Sequence, residues 1–279
     1  MNILLFTLIG CGEPTTLDED TSTEITDTDQ TDEGNSAVEE KNATEVFRVP
    51  ERPWDLIEGP NGILYCSAQG GNKIYMWDPL TEMRSDYPNS VPDVQNIYFD
   101  SDDTLFFTKT DNGVTGSLSK MVGNQSIDVY TQADDGFLMR WPMDIIRPPT
   151  NEGWVIADYG AGVLFVVDED ERISIRDAGS TKPQTLLFVD SLLYVAGEDG
   201  IYSIQWPDGE PLLLDERAGL GLVNVNGQIW SSNSTQGIFQ VAGEPIGLNQ
   251  AARPGNILRI SDQIYFVDHV GEGVWLYQL

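Results

Sequence analysis

The sequence predicts an all-β chain, a six-bladed β-propeller of four-stranded antiparallel blades behind an apolar leader and an acidic linker. Three observations lead there. Short apolar strands that follow a turn recur at intervals of 36 to 49 residues, each is flanked by further strands at similar spacing, and no stretch keeps a helical period over a useful length.

The recurring strands are GILYCSA at 62, TLFFTKT at 104, GWVIADY at 153, SLLYVAG at 191, GQIWSSN at 227 and QIYFVDH at 263. All are rich in β-branched, aromatic and Leu residues and end in small or polar ones. Across a turn before each stands another apolar segment: WDLIEG at 54, QNIYFD at 95, MDIIRP at 143, QTLLFV at 184, LGLVNV at 220 and GNILRI at 255. Turn residues punctuate the joins, as in Gly59-Pro60-Asn61-Gly62, Asp100 to Asp103, Asn226-Gly227 and Ser261-Asp262. A third strand follows each (KIYMWDP at 73, GSLSKMV at 116, VLFVVDE at 163, GIYSIQW at 200, GIFQVAG at 237, GVWLYQL at 273), and a fourth in five units, the weakest being MRSDYP near 83. Units of about 39 residues have the spacing of propeller blades.

The sixth unit reaches Leu279 with only three strands, which leaves an open edge. Thr44 to Val49 is a β-prone run ahead of the first unit with no partner of its own, so it is expected to complete the sixth blade and close the ring. The propeller is therefore assigned to residues 45–279, as a monomer.

Residues 12 to 42 are dominated by Thr, Asp, Glu, Ser and Asn, with no aromatic residue, and cannot bury enough apolar surface to offset chain entropy. Residues 11–44 are read as a disordered tether, reaching ~30 Å by random-coil scaling. Of the formal charge of −30, eleven acids and one base lie between residues 12 and 44, and 34 acids and 14 bases remain for the propeller. A field of that sign repels phosphate backbones and anionic headgroups, which argues against nucleic acid and against a polybasic membrane patch.

MNILLFTLIGC is too short to span a bilayer. It resembles a bacterial lipoprotein signal, residues 1–10, ending in the lipobox Leu8-Ile9-Gly10-Cys11. That resemblance implies lipidation at Cys11, a membrane partner through the lipid, and a place in the cell envelope, at the outer membrane or on a periplasmic or extracellular face. Cys66 would then be the one remaining cysteine, and its apolar setting reads as a core residue.

Strand direction places the start of each first strand and the end of each second strand on one face. A short polar residue recurs there in five of six units: Asp55, Asn96, Asp144, Thr185 and Asn256. Such residues either cap strand ends and brace the blade-to-blade turns, or offer oxygens to a ligand or to a hard cation such as Ca²⁺. Trp54 and Trp141 stand near the same mouth and could stack on a ligand, whereas Trp154, Trp230 and Trp275 read as core. Asp158, Asn233 and Asp268 are expected to brace turns, and His269, the one histidine, has no second histidine with which to pair at a metal.

VIADYGAGVLFVVDED is similar to the strand, Asp turn, strand unit of the NHL-repeat and SMP-30/gluconolactonase/LRE-like propellers, and the likeness extends over Arg52 to Leu279. In the lactonase branch a divalent metal sits at the channel top. The resemblance implies Glu51, from Glu51-Arg52-Pro53-Trp54, with Asn96, Asp144 and Asn256 as its ligands, and Asp144 as general base towards water attacking a lactone. Glu51-Arg52-Pro53-Trp54 is one residue shorter than the E-x-P-x-W motif of that branch. The reading from the residues is a tethered, non-enzymatic propeller that binds a small molecule or a protein on its top face. A metal-dependent lactonase is the alternative.

Overall fold

The computed structural model describes residues 43–69, 71–111, 114–150, 152–246 and 253–279. The expected leader, Cys11 and the linker as far as residue 42 lie outside the described residues. The first strand, β1 (Ala43–Arg48), belongs to blade six, and blade one is β2 (Arg52–Glu58), β3 (Leu64–Gln69), β4 (Lys73–Asp78) and β5 (Met83–Asp86). Blade two is β6 (Val94–Phe99), β7 (Leu105–Asp111), β8 (Thr115–Val122) and β9 (Gln125–Tyr130). Blade three is β10 (Pro142–Ile146), β11 (Trp154–Asp158), β12 (Val163–Val167) and β13 (Ile173–Asp177). Blade four is β14 (Pro183–Val189), β15 (Leu192–Gly197), β16 (Gly200–Gln205) and β17 (Leu212–Asp215). Blade five is β18 (Gly221–Val225), β19 (Gln228–Asn233), β20 (Gly237–Gln240) and β21 (Pro245–Ile246), and blade six holds β22 (Pro254–Ile260), β23 (Gln263–Asp268) and β24 (Gly273–Gln278).

The sheets are six, each of four strands, and blade six has the order β1-β24-β23-β22. The ring closes as the sequence requires: Thr44 pairs with Leu276, Glu45 with Trp275, Phe47 with Val274 and Arg48 with Gly273. The strand starts earlier than Glu45, because buried Ala43 pairs with Tyr277. Inner strands touch in turn around the axis, β2 with β6, β6 with β10, β10 with β14, β14 with β18, β18 with β22 and β22 with β2.

Each blade buries both faces, one against each neighbour. Along β3, Leu64 and Cys66 join the apolar cluster between blades six and one, while Tyr65 joins the cluster between blades one and two, as period-two alternation dictates. Six such clusters are formed among the described residues, one per blade interface. Cys66 is fully buried in the first, in keeping with its reading as core. Hairpin turns use the residues that tolerate positive φ: Asn226 (53°) and Gly227 (86°) make the two-residue turn between β18 and β19.

Phe47 carries the closure. It is 5% exposed, packs beside Leu56, Leu64 and Val267, and stacks on Trp77 of blade one with ring centroids 5.4 Å apart. Phe47→Ala is expected to lower the unfolding free energy by about 3–5 kcal/mol in a denaturant titration. A loss under about 1 kcal/mol would show that this strand does not hold the ring shut.

Candidate functional site

A cavity of about 610 Å³ opens at the mouth of the axis. Starts of first strands (Trp54, Met143, Gln184) and ends of second strands (Gln69, Asn233, His269) line it together, so both sets of loops do share this face. Below it lies a chamber of about 10 Å³, lined by Asp55, Asn96, Thr185 and Asn256. That is room for about one water. Trp54, Met143, Gln184, Leu220 and His269 belong to both.

The polar ring is built by β-bulges. Register slips at Pro53/Leu56, Val94/Ile97, Pro142/Asp144, Pro183/Thr185 and Pro254/Ile257, the positions of Asp55, Asn96, Asp144, Thr185 and Asn256. A bulge re-aims a side chain and frees backbone groups from the ladder. β18 has no slip and carries Gly221, where a Cβ would come within 2.6 Å of the Ile257 nitrogen. Close approach of blade six therefore explains why blade five breaks the pattern.

Most ring side chains bolt one blade to the next. Asp55 Oδ2 accepts from Ile97 N at 2.9 Å, Asp144 Oδ2 from Leu186 N at 2.6 Å, and Thr185 Oγ1 donates to Leu220 O at 2.8 Å. Ser232 donates to the Gly255 carbonyl, and Asn256 Nδ2 donates to Asp55 Oδ1. Asp144 Oδ1 also accepts from Ile145 N at 2.7 Å. Asn96 Oδ1 is buried with no hydrogen-bond partner among the described residues. Asp144 lines neither cavity, and Glu51 is elsewhere, accepting a hydrogen bond from the Tyr75 hydroxyl.

The upper cavity is walled by two aromatic pairs. Trp54 and His269 stack at 4.8 Å and 10°, and Trp141 meets Tyr159 edge-on at 5.3 Å. Asp158 fixes the second pair, its carboxylate accepting from Arg140 N at 2.7 Å and from Trp141 N and Ala161 N at 2.9 Å. Asn233 and Asp268 brace the corresponding turns, through Thr235 N at 2.8 Å and through Val270 N and Gly271 N at 3.0 and 2.9 Å. Gly255 makes room for His269, since a Cβ there would strike the imidazole. Trp154 is buried, and Trp230 and Trp275 pack at the edge of the cluster between blades five and six.

Sequence reasoning named Trp54 and Trp141 at this mouth and missed Arg52, Gln69, Tyr159, Glu198 and Arg253, which also line it. A signal was present in the repeat: Arg52-Pro53, Lys182-Pro183 and Arg253-Pro254 put a base directly before an inner-strand proline in three blades.

Burial drives the Asp55 carboxyl up to about 7, against the amide hydrogen bonds of Ile97 and Leu56. Asp144 is raised well above the ordinary carboxylate range, by burial and then by the charge of Asp55. His269 is pushed down to about 4 by burial and by nearby Arg52, with Asp268 and a backbone hydrogen bond at Trp54 opposing. At neutral pH the imidazole is uncharged.

No known sequence family and no curated protein matches the chain. Solved structures share the fold. One solved under a gluconolactonase designation has a TM-score of 0.69 at 15% identity, covering 85% of this chain and 92% of its own. A gluconolactonase from Xanthomonas campestris gives 0.66 at 14%, covering 85% and 89%, and a virginiamycin B lyase from Staphylococcus aureus gives 0.60 at 15%, covering 85% and 88%. Likeness at this identity establishes the six-bladed architecture.

Two buried groups titrate against each other in stability. Between about 4 and about 7 folded Asp55 keeps a proton that the unfolded chain has lost, so its contribution is full below about 4 and is lost as pH rises through about 7. His269, lowered from 6.5 to about 4, contributes above 6.5 and loses that contribution as pH falls to about 4. Asp55→Asn removes the first slope, so the melting temperature should rise more steeply from pH 4 to 7 than in the parent. Parallel profiles in the two proteins would refute a titrating Asp55.

Proposed function

We propose that this propeller is a binding protein for a small organic molecule, held in the mouth of the axis and tethered to the cell envelope. The observation that carries it is the cavity of about 610 Å³ between the Trp54/His269 and Trp141/Tyr159 pairs. Its volume lies in the range of small-molecule sites, and its mix of aromatic walls with a few polar groups is what such sites use. A concave mouth favours a small ligand over a protein surface. Flat rings would insert with offset or edge contacts to the two pairs.

Metal-dependent hydrolysis of a lactone is the second reading, and the likeness to gluconolactonase structures supports it. The donor set does not fit a divalent cation. A hard cation takes six to eight oxygens, yet of the expected ligands Glu51 is held by Tyr75 and Asp144 lines neither cavity, so Asp55, already bonded to Ile97 and Asn256, is the one carboxylate at the chamber. No cluster of three or more His, Cys, Asp or Glu suited to a metal exists among the described residues. Asp144, buried and outside both cavities, is also badly placed to take a proton from water bound there.

Ligand-observed NMR with neutral aromatic and lactone fragments distinguishes the readings. Fragments should share one site, lose their signal in Trp54→Ala and Trp141→Ala, and be indifferent to EDTA. Binding that survives both substitutions would overturn the placement. Binding that EDTA abolishes and Ca²⁺, Mn²⁺ or Zn²⁺ restores would move the function to the metal-dependent reading.

Support for the tether is the lipobox-like Leu8-Ile9-Gly10-Cys11 followed at once by a polar acidic run. In a bacterial host, fed alkynyl palmitate should label the parent and not Cys11→Ser, and globomycin should block processing. Equal labelling of both proteins would remove the anchor.

A further inference from the structure

Two cations line the cavity, and neither has an anionic partner among the described residues. Of the three bases that precede an inner-strand proline, Lys182 is committed, its Nζ 2.6 Å from Glu198 and 5.1 Å from the Tyr159 ring centre. Arg52 and Arg253 have no hydrogen bond or ion pair from their guanidinium groups among the described residues. Arg52 lies over the Trp54 ring at 5.3 Å, and both arginines line the cavity of about 610 Å³. They come from neighbouring blades, for β2 packs on β22 and β23. His269 N donates to the Arg253 carbonyl at 3.4 Å, and the charge of Arg52 is felt at the imidazole.

Arg52 and Arg253 are set apart from the other base without an ion pair before an inner strand, Arg140, by lining the cavity. Acids outnumber bases 45 to 15, so surface guanidinium groups have carboxylates in plenty. The one carboxylate lining the cavity, Glu198, is already engaged by Lys182 and by the Tyr159 hydroxyl at 2.6 Å. The wall formed by blades six and one is thus a local positive site in a negative protein. Guanidinium forks suit planar oxyanions, and their charge-assisted hydrogen bonds are about twice as strong as neutral ones.

We propose, resting on the small-ligand reading above, that the cavity takes an organic monoanion: a carboxylate carried on a flat ring. The carboxylate meets Arg52 and Arg253, and the ring lies among Trp54, Trp141 and Tyr159. A carboxylate fits better than a phosphate ester, because the second negative charge of a phosphate is repelled by the acidic molecule around the mouth.

Isothermal titration calorimetry tests this with indole-3-acetate against indole-3-acetamide, and with benzoate against benzamide and phenyl phosphate. Each carboxylate should bind about tenfold or more tightly than its amide, with a preference that shrinks as salt rises. Arg52→Gln and Arg253→Gln should each remove about tenfold or more of carboxylate affinity and leave the amides within about twofold. Arg172→Gln, the same charge change at an exposed pair with Asp170, should change nothing. Equal affinity for acid and amide, or a preference that survives the double arginine variant, would overturn the anion assignment while leaving the small-ligand reading intact. Phenyl phosphate binding more tightly than benzoate would overturn the choice of carboxylate. Absence of binding by every probe, acid and amide alike, would overturn both readings.

Discussion

Every blade here has two apolar faces, so none is stable without a neighbour on each side, and the only arrangement that satisfies all of them is a closed ring. Closure rests on β1, whose backbone pairs with β24 and whose Phe47 reaches across to Trp77 of blade one. The mouth exists because of that closure. Trp54 belongs to blade one and His269 to blade six, and they stack because the first and last blades are forced together.

Around the axis, polar side chains perform a task that apolar ones cannot. Inner strands converge where bulges leave backbone N–H and C=O groups without ladder partners, and an unpaired buried amide costs about 1–3 kcal/mol. Asp55, Asp144 and Thr185 satisfy such groups on the following blade. This structural duty competes with metal binding for the same oxygens. A carboxylate whose two oxygens already accept from backbone amides has fewer lone pairs and less freedom of orientation to offer a cation. Asp55, Asp144 and Thr185 are therefore engaged in assembly, Asn96 Oδ1 is buried with no hydrogen-bond partner among the described residues, and the proposed ligand contacts lie one layer up, on the aromatic and basic side chains of the wider cavity.

The architecture was legible because its determinants are local. Asn226-Gly227 demands a tight hairpin, and Leu64-Tyr65-Cys66 reads as a strand buried on both faces. Even the closing strand could be found, from an open edge at one end and an unpartnered β-run at the other. The five polar ring positions were legible as a register because the bulge recurs at the same place in each unit. What could not be read was convergence between distant segments. Tyr159, Glu198 and Arg253 are loop residues of three different blades, and only the completed ring sets their separation. Glu51 shows the converse: its place in Glu51-Arg52-Pro53-Trp54 suggested the mouth, yet the Tyr75 hydroxyl on the third strand of the blade captures it.

The charge distribution separates two properties that one net value conflates. At distances beyond the Debye length, about 8 Å at physiological salt, an approaching anion meets the average field of an acidic protein and is slowed. Inside the mouth it meets two exposed guanidinium groups at contact, beside the aromatic faces of Trp54 and Trp141, where the bidentate geometry of the fork rather than burial sets the strength of the pair. Association would be disfavoured and retention favoured, which is the opposite of an electrostatically steered binder. A multiply charged species would be repelled more by the outer field than a monoanion, so the acidic exterior would weigh against ligand charge. Selectivity of that kind needs no specific contact with the rejected molecule; it follows from placing a small basic patch at the mouth of an acidic molecule.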